Sequence, residues 1–375
     1  MTRIRFLAGV LVLLVASGPS SAIPAAEKTV PTLELGHSAP DFTLPGVDGK
    51  PYGLADFAAA KVLVIIFTCN HCPTAQAYEE RIQRIANDYR DRGVALVAIS
   101  PNDAQAVRLD ELGYTDVGDS LDDMKVRARD RKFTFPYLYD GETQAVSLAY
   151  GPVATPHVFV FDAARRLRYN GRIDDSAKEP NITSHDTRAA IDAVLAGTPV
   201  PQEKTKTFGC SIKWSDKRDS ARKSLEEWNR EPAALATISA ADVRKLVAND
   251  SNKLRLINVW ATWCGPCREE FPHFVEMHRM YRKRDFELIT ISADVPEKQA
   301  DALSFLQEQH ASAKNFLFQG KNEYELAEAV DAQWQGALPY TLLVAPGGKV
   351  LYRKQDLIDA AELRRIIADT LGRVY

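Results

Sequence analysis

Four of the five cysteines fall into two C-x-x-C pairs, Cys69-Asn70-His71-Cys72 and Cys264-Gly265-Pro266-Cys267, with Cys210 alone between them. Two thiols at i and i+3 on the first turn of a helix lie close enough to bridge. The leading sulfur then sits among the unpaired N–H groups and the positive dipole end of that helix. Both effects favour thiolate, the species that attacks a disulfide. The pattern reads as a redox device, with Cys69, Cys72, Cys264 and Cys267 as its catalytic sulfurs. His71, when protonated, stabilises thiolate and hence the reduced pair, which makes the first disulfide more oxidising. Cys210, in Phe208-Gly-Cys-Ser-Ile-Lys-Trp214, reads either as a relay or resolving thiol for the first pair or as a buried free thiol beside Trp214.

The elements around each pair repeat. In the second half Leu254–Trp260 is an apolar run of strand length that ends at its C-x-x-C, and Arg268 to Arg284 has apolar residues on one helical face. Phe286–Ile291 and Tyr340–Ala345 read as strands, Pro296–Gln309 as a helix, and Pro346-Gly347-Gly348 turns into Lys349–Tyr352. A final helix is expected over Ala360–Leu371. The first half follows suit: Lys61–Phe67 leads into the first pair, Pro73 is a natural first helical residue, and a helix to about Arg92 precedes the strand Val94–Ile99. His157–Asp162 and Leu167–Tyr169 read as a hairpin, and Thr187–Leu195 as a closing helix. Strand–helix alternation of this kind places a sheet between layers of helix, an α/β fold. Residues 198–207 form a polar, proline-bearing linker, followed by an exposed helix over Ser215–Arg230.

Length and composition agree with two units. The chain has 375 residues, 45% hydrophobic and 26% charged, enough for two cores at roughly 150 residues each. A net charge of −3 offers no basic field for nucleic acid. Five cysteines are too few for a disulfide scaffold. Residues 1–22 combine Arg3 and Arg5, an apolar run from Phe6 to Ala16, and small residues ending at Ala22, which is the form of a secretory signal peptide. The apolar run is too short to span a bilayer. Membrane contact is thus expected only through this segment if it stays uncleaved, and an oxidising, extracytoplasmic compartment follows.

The motifs also carry a family resemblance. Ile257-Asn-Val-Trp-Ala-Thr-Trp-Cys-Gly-Pro-Cys267 resembles the active-site segment of thioredoxins, most closely the exported TlpA-like branch. The resemblance implies that Cys264 attacks, that Cys267 resolves, and that Leu338-Pro339 is a cis-proline loop presenting substrate chain. Asn258 stands where many thioredoxins keep a buried acid that tunes the resolving thiol, so the proton acceptor is unassigned. Ala39-Pro-Asp-Phe-Thr-Leu44 with Asp48-Gly49 resembles the opening hairpin of the AhpC/TSA-like redoxin branch, and Thr155-Pro156 would be its cis-proline. The implied architecture is two thioredoxin-fold domains in tandem, 38–197 and 233–375, joined by a 198–232 linker that carries Cys210. The histidine before Cys72 is similar to the loop of the oxidising exported Dsb enzymes, whereas Gly265-Pro266 belongs with more reducing thioredoxins. The implied function is thiol–disulfide exchange with protein substrates bearing disulfides or thiols, served by an unidentified electron donor or acceptor and needing no dissociable cofactor.

Rival chemistries fit less well. Peroxiredoxins need a threonine three residues before the reactive cysteine; Cys72 has Cys69 there and Cys69 has Ile66. A copper chaperone would use two cysteines and a distant histidine, for which Cys69, Cys72 and His157 are candidates, although such cysteines usually stand one residue farther apart. A shared zinc site would have to unite pairs 195 residues apart. Neither pair is followed by the histidine that haem attachment requires. Glu269 and Glu270 fall in the first turns of a helix, where acids suit the dipole; a catalytic role is the alternative reading.

Overall fold

The computed structural model describes residues 30–320 and 323–375. The signal-peptide segment 1–22 lies outside the described residues.

In the first half a small antiparallel hairpin, β1 (Thr43–Pro45) and β2 (Pro51–Gly53), precedes the main sheet. That sheet is built from β3 (Val62–Phe67), β4 (Val94–Ser100), β5 (Tyr137–Tyr139), β6 (His157–Phe161) and β7 (Leu167–Gly171), in the order β5-β4-β3-β6-β7. Helices α1 (Pro73–Tyr89), α2 (Leu121–Arg131), α3 (Ala145–Tyr150) and α4 (Asp186–Ala196) flank it. Central β3 reads Val-Leu-Val-Ile-Ile-Phe and is buried at every position. A strand covered on both faces has no use for a polar side, so alternation gives way to a continuous apolar run. Val62, Val64 and Ile66 pack towards Ile82 and Ile85 of α1, while Leu63, Ile65 and Phe67 pack towards Tyr150 and Phe161 on the other face.

After α5 (Arg218–Asn229), which buries no residue, the second half repeats the plan. Its strands are β8 (Leu235–Ile238), β9 (Leu254–Trp260), β10 (Phe286–Ser292), β11 (Lys314–Phe318), β12 (Tyr340–Val344) and β13 (Val350–Gln355), in the order β13-β12-β9-β10-β11-β8. The helices are α6 (Ala240–Ala248), α7 (Gly265–Tyr281), α8 (Gln299–Glu308), α9 (Glu323–Val330) and α10 (Ala360–Leu371). In both sheets the strand that ends at the cysteines is parallel to one neighbour and antiparallel to the other: β3 to β4 and β6, β9 to β10 and β12. The expected α/β repeat is therefore present. Elements absent from the sequence reading are α2, α3, β5, α6, β8, β11 and α9.

The segment after α4 runs against the first sheet. Asn170 of β7 donates its N–H to the Glu203 carbonyl at 3.0 Å, and Thr205 N–H returns to the Asn170 carbonyl at 3.2 Å. Farther on, Ile212 and Trp214 are buried. The Lys213 carbonyl accepts from Asp103 N–H at 3.0 Å and from the Gln144 side chain at 2.9 Å. Residues 203–214 form a strap over the C-terminal ends of the strands, next to the first cysteine pair.

A loop of the first half docks on the second. Leu112 joins the cluster of Phe274, Met277, Met280 and Tyr281. Tyr281 donates to the Thr115 carbonyl at 3.0 Å, and Arg284 donates to the Gly113 carbonyl at 2.6 Å while lying over the Tyr114 ring. Arg373 pairs with Asp116 at 2.6 Å.

Candidate functional site

The two cysteine loops differ in where the helix begins. At the second, Cys264 is the N-cap of α7: its sulfur accepts the Cys267 N–H at 3.2 Å, and Pro266 sits in the first turn, where a missing N–H costs nothing. Cys264 and Cys267 are joined in a disulfide. Helix α7 thus starts three residues before the expected Arg268.

At the first loop the N-cap is Cys72, whose sulfur accepts Ala75 N–H at 3.4 Å. Pro73 fixes φ and lacks a donor, so the helix starts immediately after Cys72 and leaves Cys69-Asn70-His71 outside it. The expectation that Cys69 occupies the first helical turn is corrected: Cys72 holds the place that Cys264 holds in the second half. Exposure differs too from that expected of a presented leading thiol. Cys69 is 3% exposed and Cys72 0%, against 5% for Cys264 and 1% for Cys267.

Cys69, Cys72 and Cys210 are free thiols in one cluster. The Cys210 backbone N–H points at the Cys72 sulfur at 3.4 Å, and Cys210 packs against the Cys69–Cys72 pair. Cys69 Sγ lies 3.2 Å from the Thr155 hydroxyl, and the Cys72 thiol can donate to the Thr155 carbonyl at 3.4 Å. Thr155–Pro156 and Leu338–Pro339 are both cis peptides. Thr155 thus touches both sulfurs of its pair, while Leu338 packs against the Cys264–Cys267 cluster. Burial works against charge on Cys72, but hydrogen bonds from Cys210 and Cys69, the neighbouring His71 and the Ala75 N–H bring its thiol well below the ordinary value. Burial and the adjoining Cys72 push Cys69 well above it. Cys210 is raised by its hydrogen bond to Cys72 and by burial.

His71 has a partner that sequence reasoning missed. Its Nδ1 lies 2.5 Å from Asp119 Oδ2, with both side chains buried. Asp119 also accepts the backbone N–H groups of Asn70 and His71 at 2.9 and 3.0 Å and the Asn102 amide at 2.7 Å. Burial alone would lower the imidazole; the carboxylate outweighs it and raises His71 overall. Asp119 sits just before the α2 N-cap, and no local motif ties it to cysteines nearly fifty residues earlier.

The potential ligand atoms of Cys69, His71 and Asp119 lie within 4.8 Å of one another, a set that could hold a soft or borderline cation. The Asp119 oxygens, however, are already committed to four protein donors. His157 does not join this group. Its Nδ1 faces the Val153 N–H at 3.2 Å, its ring packs on Phe159, and burial lowers it to about 3. The copper set Cys69, Cys72 and His157 is not what the structure gathers.

In the second half Asn258 donates its side-chain amide to Glu270 at 3.1 Å and to Thr341 at 3.2 Å. Glu270 lies one turn beyond Cys267 on the buried side of α7 and also accepts Ile358 N–H at 2.9 Å. Burial raises its carboxyl to about 7, with the two hydrogen bonds opposing. The group able to exchange a proton near neutrality is thus Glu270. Its sequence signal, an acid in the first helical turns, is indistinguishable from dipole compensation. Next to Cys264 in the chain, Trp263 is 71% exposed, and Val295 and Leu357 are also exposed apolar residues of this half. Asp294, the neighbour of Val295, anchors the Thr262 hydroxyl and N–H of the cysteine loop.

A mixed sheet, a cysteine capping the helix that leaves its central strand, and a facing cis-proline define the thioredoxin fold, here present twice. The AhpC/TSA family model matches residues 35–170 and 228–353, and the chain belongs to that family. Among curated proteins it is similar to thiol-disulfide oxidoreductase ResA of Bacillus subtilis, 25% identical over 122 residues, which cover 30% of this chain and 64% of that protein. The chain thus spans less than two thirds of that relative's length. Among solved structures, a hypothetical protein from Sinorhizobium meliloti 1021 is 37% identical, covering 49% of this chain and 97% of that one with a TM-score of 0.44. An uncharacterized conserved protein from Geobacillus kaustophilus is 42% identical, covering 48% and 93% with a TM-score of 0.44.

Proposed function

We propose that this protein is an exported thiol–disulfide oxidoreductase that exchanges disulfides with protein substrates at two cysteine sites. The observation that carries the reading is the Cys264 sulfur at a helix N-terminus, bonded to Cys267, with a near-neutral carboxyl one turn away. In the reducing direction the Cys264 thiolate attacks a substrate disulfide, forms a mixed disulfide and releases one substrate thiol. Cys267 loses its proton to Glu270 and attacks Cys264, which releases the second substrate thiol and restores the Cys264–Cys267 disulfide. The exposed Trp263, Val295 and Leu357 favour an extended protein chain as substrate, laid against Leu338-Pro339. In the first domain Cys69, Cys72 and Cys210, with His71 and the Thr155-Pro156 loop, form a second exchange site. Export rests on the leader pattern of residues 1–22, and no helix among the described residues is long and apolar enough to cross a membrane.

The test is a disulfide-reduction assay on a protein disulfide with dithiothreitol as donor. In a Cys72→Ser background, which disables the first-domain site, adding Cys264→Ser is expected to lose at least about 100-fold of the parent's rate above that of the reductant alone. An undiminished rate would remove Cys264 from the mechanism.

A further inference from the structure

We propose that the working redox couple of the first domain is Cys72 with Cys210, formed across the strap, and that a partner thiol enters it at Cys210. The inference deepens the exchange function proposed above and rests on it. Cys210 aims its backbone N–H at the Cys72 sulfur at 3.4 Å and packs against the Cys69–Cys72 pair. It is also partly exposed, whereas Cys69 and Cys72 are sealed at 3% and 0%. An incoming sulfur therefore reaches Cys210 before either member of the C-x-x-C pair. The strap lies this close because position 209 is glycine: φ is +146°, and a Cβ there would stand 2.0 Å from the Thr155 carbonyl oxygen. The Thr155 N–H to Cys210 carbonyl bond, 3.0 Å, fixes the register that faces Cys210 to Cys72.

The exchange balances as follows. A partner thiolate attacks Cys210 Sγ of the Cys72–Cys210 disulfide, the S–S bond breaks, and its electron pair leaves on Cys72. That thiolate is received by the N–H groups of Ala75 and Cys210 beside the His71–Asp119 pair. The partner's second thiol gives its proton to solvent and attacks the partner sulfur of the mixed disulfide. Cys210 is expelled and takes up a proton. The partner dithiol has lost two electrons and become a disulfide, and the Cys72–Cys210 couple has gained them. Exchange with an acceptor disulfide, small or protein-borne, reverses these steps and restores the couple. A stabilised leaving thiolate speeds the first step and makes the couple oxidising, because it is the reduced form that the site favours. Cys69, under the Thr155 hydroxyl, stands behind the couple and away from solvent.

The experiment equilibrates the full chain in glutathione buffers, quenches it with acid, blocks free thiols and maps linked peptides by mass spectrometry. The expected result is a Cys72–Cys210 linkage that is reduced at a glutathione ratio at least about tenfold less reducing than that needed for Cys264–Cys267. A Cys69–Cys72 linkage with Cys210 blocked, the absence of any linkage among the three, or a Cys72–Cys210 couple no more oxidising than Cys264–Cys267 would overturn the proposal. In Cys72→Ser treated with oxidised glutathione, the adduct should map to Cys210; an adduct on Cys69 counts against it. The Cys264–Cys267 peptide in the same digests judges the broader exchange reading separately.

Discussion

Asn258 occupies the site where an acid was sought, and the acid stands across from it as Glu270, hydrogen-bonded to the asparagine amide. An amide cannot titrate, but it can hold a carboxyl in place. Since the folded chain raises Glu270 from an ordinary 4.5 to about 7, it favours the neutral form. The associated stability is complete below the unfolded value and is lost as pH rises through about 7. On the proposed mechanism the same ionisation creates the base that Cys267 needs, so the exchange rate should climb over that range. Glu270→Gln is expected to abolish both trends, flattening the stability profile near neutrality and slowing the Cys267-dependent step on the order of 100-fold. Stopped-flow kinetics and denaturant unfolding across that pH range measure the two. At this scale the sequence was informative for the sulfurs and for His71 as a tuning residue, and silent on the partners that position them. C-x-x-C spacing is local and chemically specific. The contacts His71–Asp119 and Cys72–Cys210 join residues 48 and 138 positions apart, which no local pattern records.

At the scale of elements, one proline decides how each cysteine loop meets its helix. Pro73 follows Cys72 directly, whereas Pro266 precedes Cys267, so the same four-residue spacing places a different sulfur at the cap. The central strands were legible because full burial writes itself as an apolar run. The edge strand Leu235–Ile238, buried only at its last residue, carries no such run. The strap was unreadable for another reason: its proline and polar residues suit a free linker, and only the fold supplies the strand ends against which it lies. Gly209→Ala tests the strap directly. The added methyl cannot coexist with the Thr155 carbonyl at 2.0 Å, so the strap must lift or the backbone must strain. The expected cost is roughly 1–3 kcal/mol in denaturant unfolding, with faster labelling of Cys72 by a thiol reagent. Unchanged stability and labelling would mean that the strap does not seal the site.

Over the whole molecule, two copies of one fold have been given different sulfur environments and then packed together. The contact is substantial. Leu112 enters the core of the other half, Arg284 covers Tyr114, and Arg373 holds Asp116, three residues before the aspartate that anchors His71. The duplication was visible from sequence because each half repeats the strand–cysteine–helix order. Their docking was not, because the loop around 107–117 has no regular periodicity and its apolar residues serve the neighbour's core. The proposed function has both halves depend on sulfur exchange, and the second half offers the most direct measurement. Cys267→Ser, incubated with a disulfide-bearing protein, should accumulate a mixed disulfide at Cys264, because attack proceeds but resolution cannot. Mass spectrometry of the non-reduced complex identifies the linked cysteine. A partner joined through Cys264 is the predicted result; the absence of any complex joined through Cys264 would contradict it.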